Sequence, residues 1–158
     1  MSETASSGTQ PSVLVVDANL MIGMLLPGNS AVPTWLENRR RENIRIVAPD
    51  LWIAEAASAV RKMVFARQLT HSEGIEALEA LFALGVETLP LTIELCRDAL
   101  QWAARLTQIR IYDSLYLALA EQLGAELWTV DARLAHRARQ VGAPWVRLLG
   151  EAEGAEAS

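Results

Sequence analysis

Residues 112–131, YDSLYLALAEQLGAELWTVD, constrain the fold of this 158-residue chain more than any other stretch. Residues 112–123 are apolar nearly throughout, a glycine interrupts at 124, and a second apolar run covers 125–130. A helix with almost no polar face, followed by a strand without alternation, belongs inside a molecule, as in a parallel sheet covered on both sides. Two carboxylates stand against that burial: Asp113 near the start of the first run and Asp131 at the end of the second. Charges at both ends of a buried unit require a reason.

The rest of the chain repeats the alternation. SVLVV (12–16) is a β-branched run closed by Asp17, and IRIVAP (44–49), VETLPL (86–91) and PWVRLL (144–149) bring the expected strands to about five. Helices are expected over 19–26, broken by Pro27-Gly28, and over 31–42 and 50–66. THSE (70–73) matches a capping box and opens a helix ending near Gly85. Thr92 is placed to cap the next helix, with Leu95, Ala99, Trp102 and Leu106 on one face, and a last helix covers 132–140. Strands alternating with helices imply an α/β fold, a mostly parallel central sheet sandwiched between helices in three α/β/α layers. No repeat or linker divides the chain. The expected organisation is a flexible N-terminal segment (1–11), a single domain (12–149) and a disordered C-terminal tail (150–158).

In open sheets of this kind, sites form beyond the carboxyl ends of the strands. Asp17 ends the first strand and lies on that edge. The helix holding Glu55 follows the second strand directly, so its first turns begin there. Helix 112–123 feeds a strand through Gly124; if that strand is parallel, the helix begins on the same edge, carrying Asp113. Asp131 ends the strand itself. Each residue also has an ordinary explanation: Asp17 and Asp131 as helix N-caps, Glu55 on a solvent-facing helix surface, Asp113 as a favourable first-turn acid. Their convergence is harder to dismiss, because the chain has only five aspartates and three of them fall on this edge.

Composition narrows the chemistry. The single cysteine, Cys96, precludes an intrachain disulfide and suits a reducing cytoplasm. The start of the chain lacks a signal-peptide pattern, and the apolar runs are too short to span a bilayer. A net charge of −5 argues mildly against a nucleic-acid partner, yet 13 of the 14 basic residues are arginine, a side chain suited to bidentate phosphate contacts. They cluster at Arg39-Arg40-Arg41 with Arg45, at Arg61-Lys62 with Arg67, and at Arg133-Arg137-Arg139. Taken alone, each cluster is more often a solvated helix face than a binding surface.

Clustered carboxylates raise one another's pKa unless a cation neutralises them. With no His or Cys cluster, the ligand set is all oxygen and suits Mg²⁺, with Mn²⁺ able to substitute. Such an ion activates water and stabilises charge on a phosphodiester.

The motifs VVDAN (15–19), PDLWIAEAASAV (49–60), YDSLYLALAEQLGAELWTVD (112–131) and the following ARL resemble the PIN-domain ribonucleases, and within them the VapC-type toxins of bacterial and archaeal toxin–antitoxin pairs. The likeness runs from about Val13 to Leu148. It implies a Rossmann-like α/β/α sandwich and makes Asp17, Glu55, Asp113 and Asp131 the catalytic, metal-binding acids. Asn19, Thr129 and Ser114 become supports that orient carboxylates or waters. It further implies hydrolysis of single-stranded RNA, a cognate antitoxin, a homodimer, a cytoplasmic location and no membrane association. Apolar residues of the early helices (Met21, Met24, Leu25, Trp35, Leu36, Trp52) are expected to supply part of the dimer face or antitoxin groove. The competing expectation is a PIN fold that binds RNA or protein without cleaving. Other classes fit less well. A phosphoacceptor domain needs a lysine at a strand end, a haloacid-dehalogenase-like phosphatase needs Asp-x-Asp where Asp17-Ala18-Asn19 stands, and a dinucleotide enzyme needs G-x-G-x-x-G.

Overall fold

The structure, a computed structural model, describes residues 12–151. The expected flexible segment 1–11 lies outside the described residues, as do residues 152–158 of the expected tail; Gly150 and Glu151 form a turn.

The strands are β1 (Val13–Val16), β2 (Arg45–Pro49), β3 (Glu87–Leu89), β4 (Glu126–Thr129) and β5 (Val146–Leu148). The helices are α1 (Ala18–Ile22), α2 (Ala31–Arg41), α3 (Leu51–Phe65), α4 (His71–Phe82), α5 (Ile93–Leu106), α6 (Tyr112–Leu123) and α7 (Ala132–Gln140). The sheet has the order β3-β2-β1-β4-β5, and every pairing is parallel, with Leu14 beside both Ile46 and Glu126. This is the expected α/β sandwich, with a sheet that is parallel throughout.

The order has a direct consequence. The chain builds outward from β1 through β2 to β3, then returns to place β4 on the other side of β1. With right-handed crossovers, α1–α4 cover one face and α5–α7 the other. The reversal makes the carboxyl ends of β1 and β4 the switch point, where two loops leave in opposite directions and open a crevice. Asp17 and Thr129 stand there.

Local chemistry explains the elements. Val15 and Val16 are fully buried in the central strand, which accounts for the unalternating run. Helix α6 is buried continuously from Ser114 to Ala120, because it packs on β1, β2 and β4 with one side and on α5 with another. It stops at Gly124, whose left-handed conformation (φ 59°) turns the chain directly into β4. The capping box is present: Thr70 Oγ1 accepts from the Glu73 N–H at 3.2 Å and Glu73 Oε2 accepts from the Thr70 N–H at 2.7 Å. Thr92 caps α5 through the Leu95 N–H at 3.1 Å, and Leu95, Ala99, Trp102 and Leu106 are all buried.

Two expectations need correction. The helix expected over 19–26 is shorter: α1 ends at Ile22 and a 3₁₀ turn covers Gly23–Leu25. Leu26 is extended (φ −82°, ψ 123°), as sterics require of a residue before proline. The apolar residues assigned to a partner surface are largely core. Met21, Trp35, Leu36 and Trp52 are buried, while Met24 and Leu25 are half-buried against the same cluster. Trp35 packs on Trp128 at 5.4 Å and Trp52 on Phe82 at 6.4 Å, so a small domain absorbs its large aromatics by stacking helices onto the sheet.

Candidate active site at the sheet edge

Asp17 and Asp131 are helix N-caps, and both are more than that. Asp17 Oδ1 accepts from the Leu20 N–H at 2.8 Å, while its Oδ2 accepts from the Thr129 hydroxyl. Asp131 Oδ1 accepts from the N–H groups of Arg133 (3.0 Å) and Leu134 (3.1 Å). The Asp131 N–H in turn donates to Thr129 Oγ1 at 3.0 Å. One fully buried threonine thus joins the acid after β1 to the acid after β4.

Glu55 lies on α3 and accepts from the Tyr116 hydroxyl at 2.6 Å. Asp113, in the first turn of α6, accepts through Oδ2 from Gln108 Nε2 at 3.2 Å. Ser114 Oγ donates to Gln108 Oε1 at 3.3 Å, so this buried serine acts on Asp113 through the glutamine. Asn19 is exposed beside Glu55 in a common cavity and makes no side-chain hydrogen bond to the acids. Tyr116 and Gln108 are the two partners that sequence reasoning missed. Tyr116 had a signal, since it lies three residues after Asp113 on the same helix face. Gln108 sits in the α5–α6 loop and had none.

The electrostatics show that the acids feel one another. Burial pushes the Asp17 carboxyl up to about 6, against the pull of its bonds from Thr129 and Leu20, and the charges of Asp113 and Asp131 add to the push. Glu55 is raised by burial and by the charge of Asp113, with the Tyr116 bond opposing. Asp113 is raised by burial and by Asp131, with Gln108 opposing. Tyr116 is raised by burial and by its acidic neighbours, Glu55 first, so it stays a hydrogen-bond donor. None of the four acids forms an ion pair with Lys or Arg among the described residues.

The donor chemistry fits a hydrated hard cation. Glu55, Asp113 and Asp131 each spend one oxygen on a protein donor and keep the other free of protein partners among the described residues. No three His, Cys, Asp or Glu side chains among the described residues close around a single point. A Mg²⁺-like ion suits this looser array, because it retains several waters and needs only one or two direct carboxylates.

Two cavities open on Glu55, Asp113 and Asp131. One of about 210 Å³ is lined by Leu106, Gln108, Asp113, Asp131, Arg133, Leu134 and Arg137. The other, about 380 Å³, holds Asn19, Glu55, Lys62, Arg110 and Tyr112 among its walls. A third, about 370 Å³ between α3 and α4, is mainly apolar and has no carboxylate in its lining.

The model of the PIN domain matches residues 14–140, a span that includes all four acids and their partners. The chain belongs to the PIN-domain family. Its relatives include the ribonuclease VapC1 of Mycobacterium tuberculosis, 34% identical over 121 residues covering 77% of this chain and 87% of the relative. The ribonuclease VapC3 of the same organism is 36% identical over 134 residues, covering 83% and 91% respectively. Among solved structures, VapBC2 from Rickettsia felis, bound to a DNA fragment from its promoter, matches with a TM-score of 0.65 and 14% identity, covering 86% of this chain and 98% of that one. The PIN fold therefore agrees with the sheet order and the parallel strands. No helix among the described residues of this PIN domain is long and apolar enough to cross a membrane.

Proposed function

We propose that this PIN domain is a Mg²⁺- or Mn²⁺-dependent ribonuclease that hydrolyses phosphodiester bonds of single-stranded RNA as the toxin of a toxin–antitoxin pair. The observation that carries the reading is the convergence of Asp17, Glu55, Asp113 and Asp131 on one sheet edge, the first three with raised carboxyl pKa and none paired to a cationic side chain among the described residues. Those four acids are the residues that would hold the ion. When bound, it would supply Lewis-acid polarisation of the phosphate and a more acidic water at neutral pH.

The chain's own contribution is orientation. Thr129 fixes Asp17 and the start of α7 together, Tyr116 aims Glu55, and Gln108 with Ser114 aims Asp113. Preset carboxylates need no reorganisation during the reaction, which is where such sites gain most of their rate. Asn19, exposed beside Glu55, is positioned to order water rather than a carboxylate. Hydrolysis by water at this edge leaves a 5′-phosphate and a 3′-hydroxyl.

The VapC relatives named as ribonucleases and the neighbours named as VapBC or toxin–antitoxin complexes support a cognate antitoxin for this chain, and the reading extends to a homodimer in the cytoplasm. The test is incubation of the full chain with a mixed RNA pool in Mn²⁺, in Mg²⁺ and in excess chelator, beside Asp17→Asn. Cleavage by the wild type only with metal, giving 5′-phosphate ends and none by the variant, is expected. Cleavage that persists in chelator or leaves 2′,3′-cyclic ends would overturn the mechanism. RNA binding without cleavage by the wild type would replace it with a non-catalytic module.

A further inference from the structure

The basic residues divide by what they touch. Arg39, Arg41, Arg45, Arg139 and Arg147 form ion pairs, and Arg40 donates to the Leu84 carbonyl. Arg39 also packs against the rings of Trp35 and Trp128, Arg61 lies over Phe65, and Arg105 over Trp102 at 4.6 Å. These side chains already have partners within the chain. Six cations remain without such a partner among the described residues: Lys62, Arg67, Arg97, Arg110, Arg133 and Arg137. Four of the six line the two cavities whose walls include Glu55, Asp113 and Asp131.

Their placement is not what internal neutralisation would produce. Arg133 and Arg137 share a wall with Asp113 and Asp131 yet form no ion pair with either. They stand four residues apart on α7 and so face the same way. Lys62 lies two helical turns beyond Glu55 on α3, and Arg110 shares that cavity without pairing to Glu55. Tyr112, at the start of α6 and next in sequence to Asp113, shares the cavity of Lys62 and Arg110, with 48% of its surface exposed. In a chain of net charge −5, unpaired cations beside an acidic edge are suited to an incoming polyanion.

We propose that single-stranded RNA crosses the acidic edge between two basic grips, Arg133 with Arg137 on one side and Lys62 with Arg110 on the other, with the Tyr112 ring as a stacking surface for a base. The path rests on the ribonuclease reading and adds to it which residues hold the substrate. Phosphates engage the two grips, and the bond between them is presented to the acids. Stacking on Tyr112 holds a base without choosing its identity.

The test uses the full chain and a labelled mixed-sequence single-stranded RNA, read by fluorescence anisotropy in chelator across a salt series, with KM and kcat measured separately in Mn²⁺. Arg133→Gln, Arg137→Gln, Lys62→Gln and Arg110→Gln should each weaken binding and raise KM more than they lower kcat. Each should also reduce the slope of log affinity against log salt by about 0.7 for every phosphate left without its cation. Arg67→Gln and Arg97→Gln remove the same charge elsewhere and should leave the slope unchanged. Tyr112→Ala should weaken binding about fivefold or more with no change in slope, and Tyr112→Phe should match the wild type. Equal reductions of slope in the Arg67 and Arg97 variants, or unchanged slopes in the four grip variants, would overturn the path. If the wild type still cleaves RNA with metal in that case, only the path falls. If it neither binds nor cleaves, the ribonuclease reading falls with it.

Discussion

Asp17 accepts two hydrogen bonds that favour its ionised form, yet burial and the neighbouring acids prevail and hold its pKa near 6. The unfolded value is near 3.9, so the folded state binds the extra proton between roughly pH 4 and 6. Stability from this residue is therefore complete below pH 4 and lost as the pH rises through 6. Glu55 and Asp113, also raised, act in the same direction. Urea unfolding in chelator should show stability falling across that window, by at most about 3 kcal/mol from Asp17 itself. Asp17→Asn should flatten the fall; an equally steep profile in the variant would show that Asp17 is ionised throughout. Tyr116→Phe tests orientation rather than charge. Removing the hydroxyl leaves Glu55 without its donor, and loss of such a supporting partner typically costs about 10- to 100-fold in activity or metal affinity. Wild-type turnover in the variant would make the bond merely structural.

At the scale of elements, the helix termini do double duty. The turn after β1 and the turn after β4 each need an N-cap, and the aspartates that supply it stand at the switch-point edge, Asp131 lining a cavity there and Asp17 buried behind it. The ordinary explanation of Asp17 and Asp131 as N-caps therefore holds, and it is compatible with the proposed role in the site. Helix α4 offers an independent check on packing. Gly74 approaches α3 so closely that an added Cβ would lie 2.6 Å from Val64 Cγ2. Replacing a mid-helix glycine by alanine ordinarily gains roughly 0.5–1 kcal/mol, but overpacking costs typically 1–3 kcal/mol. Gly74→Ala should therefore destabilise by about 1 kcal/mol in denaturant unfolding, and Val64→Ala in the same chain should recover part of that loss. A stabilised Gly74→Ala would mean that α3 and α4 separate at little cost.

Across the whole molecule, the proposed divalent ion should be linked to the crowded acids through stability. An ion that binds the folded chain and not the unfolded one raises the melting temperature, contributing roughly 2.7 kcal/mol at a hundred times its dissociation constant. Asp113→Asn should leave the metal-free protein as stable as the wild type or more so, and should shrink the Mn²⁺-induced shift in a thermal melt. Lower metal-free stability with an undiminished shift would remove Asp113 from the site. Assembly is a separate matter. Met21, Trp35, Leu36 and Trp52 are committed to the core, so a homodimer must use other surface, such as the exposed Ile93 and Leu100 on α5. Sedimentation at micromolar concentration should show a dimer, and Leu100→Glu should dissociate it; a monomeric wild type would count against the dimer but not against the nuclease.

The sequence by itself determined the elements and the edge on which the acids lie. Apolar period, caps and the Gly124 turn act within a few residues, and a parallel βα unit sends the end of a strand and the start of the next helix to the same side. Only the tertiary structure decided which distant groups meet. Thr129 reaches Asp17 across 112 positions, and Tyr116 reaches Glu55 across 61. Those meetings depend on β4 lying beside β1 and on α6 packing over β1 and β2, the strand that leads into α3, and strand order is written in packing and crossover handedness rather than in any local pattern. The same applies to the arginines. A run such as Arg39-Arg40-Arg41 reads as one cluster, but folding commits each member to a different partner and leaves Arg133 and Arg137 beside the acids without an ion pair among the described residues, because a side chain's partners are set by what the fold brings within reach.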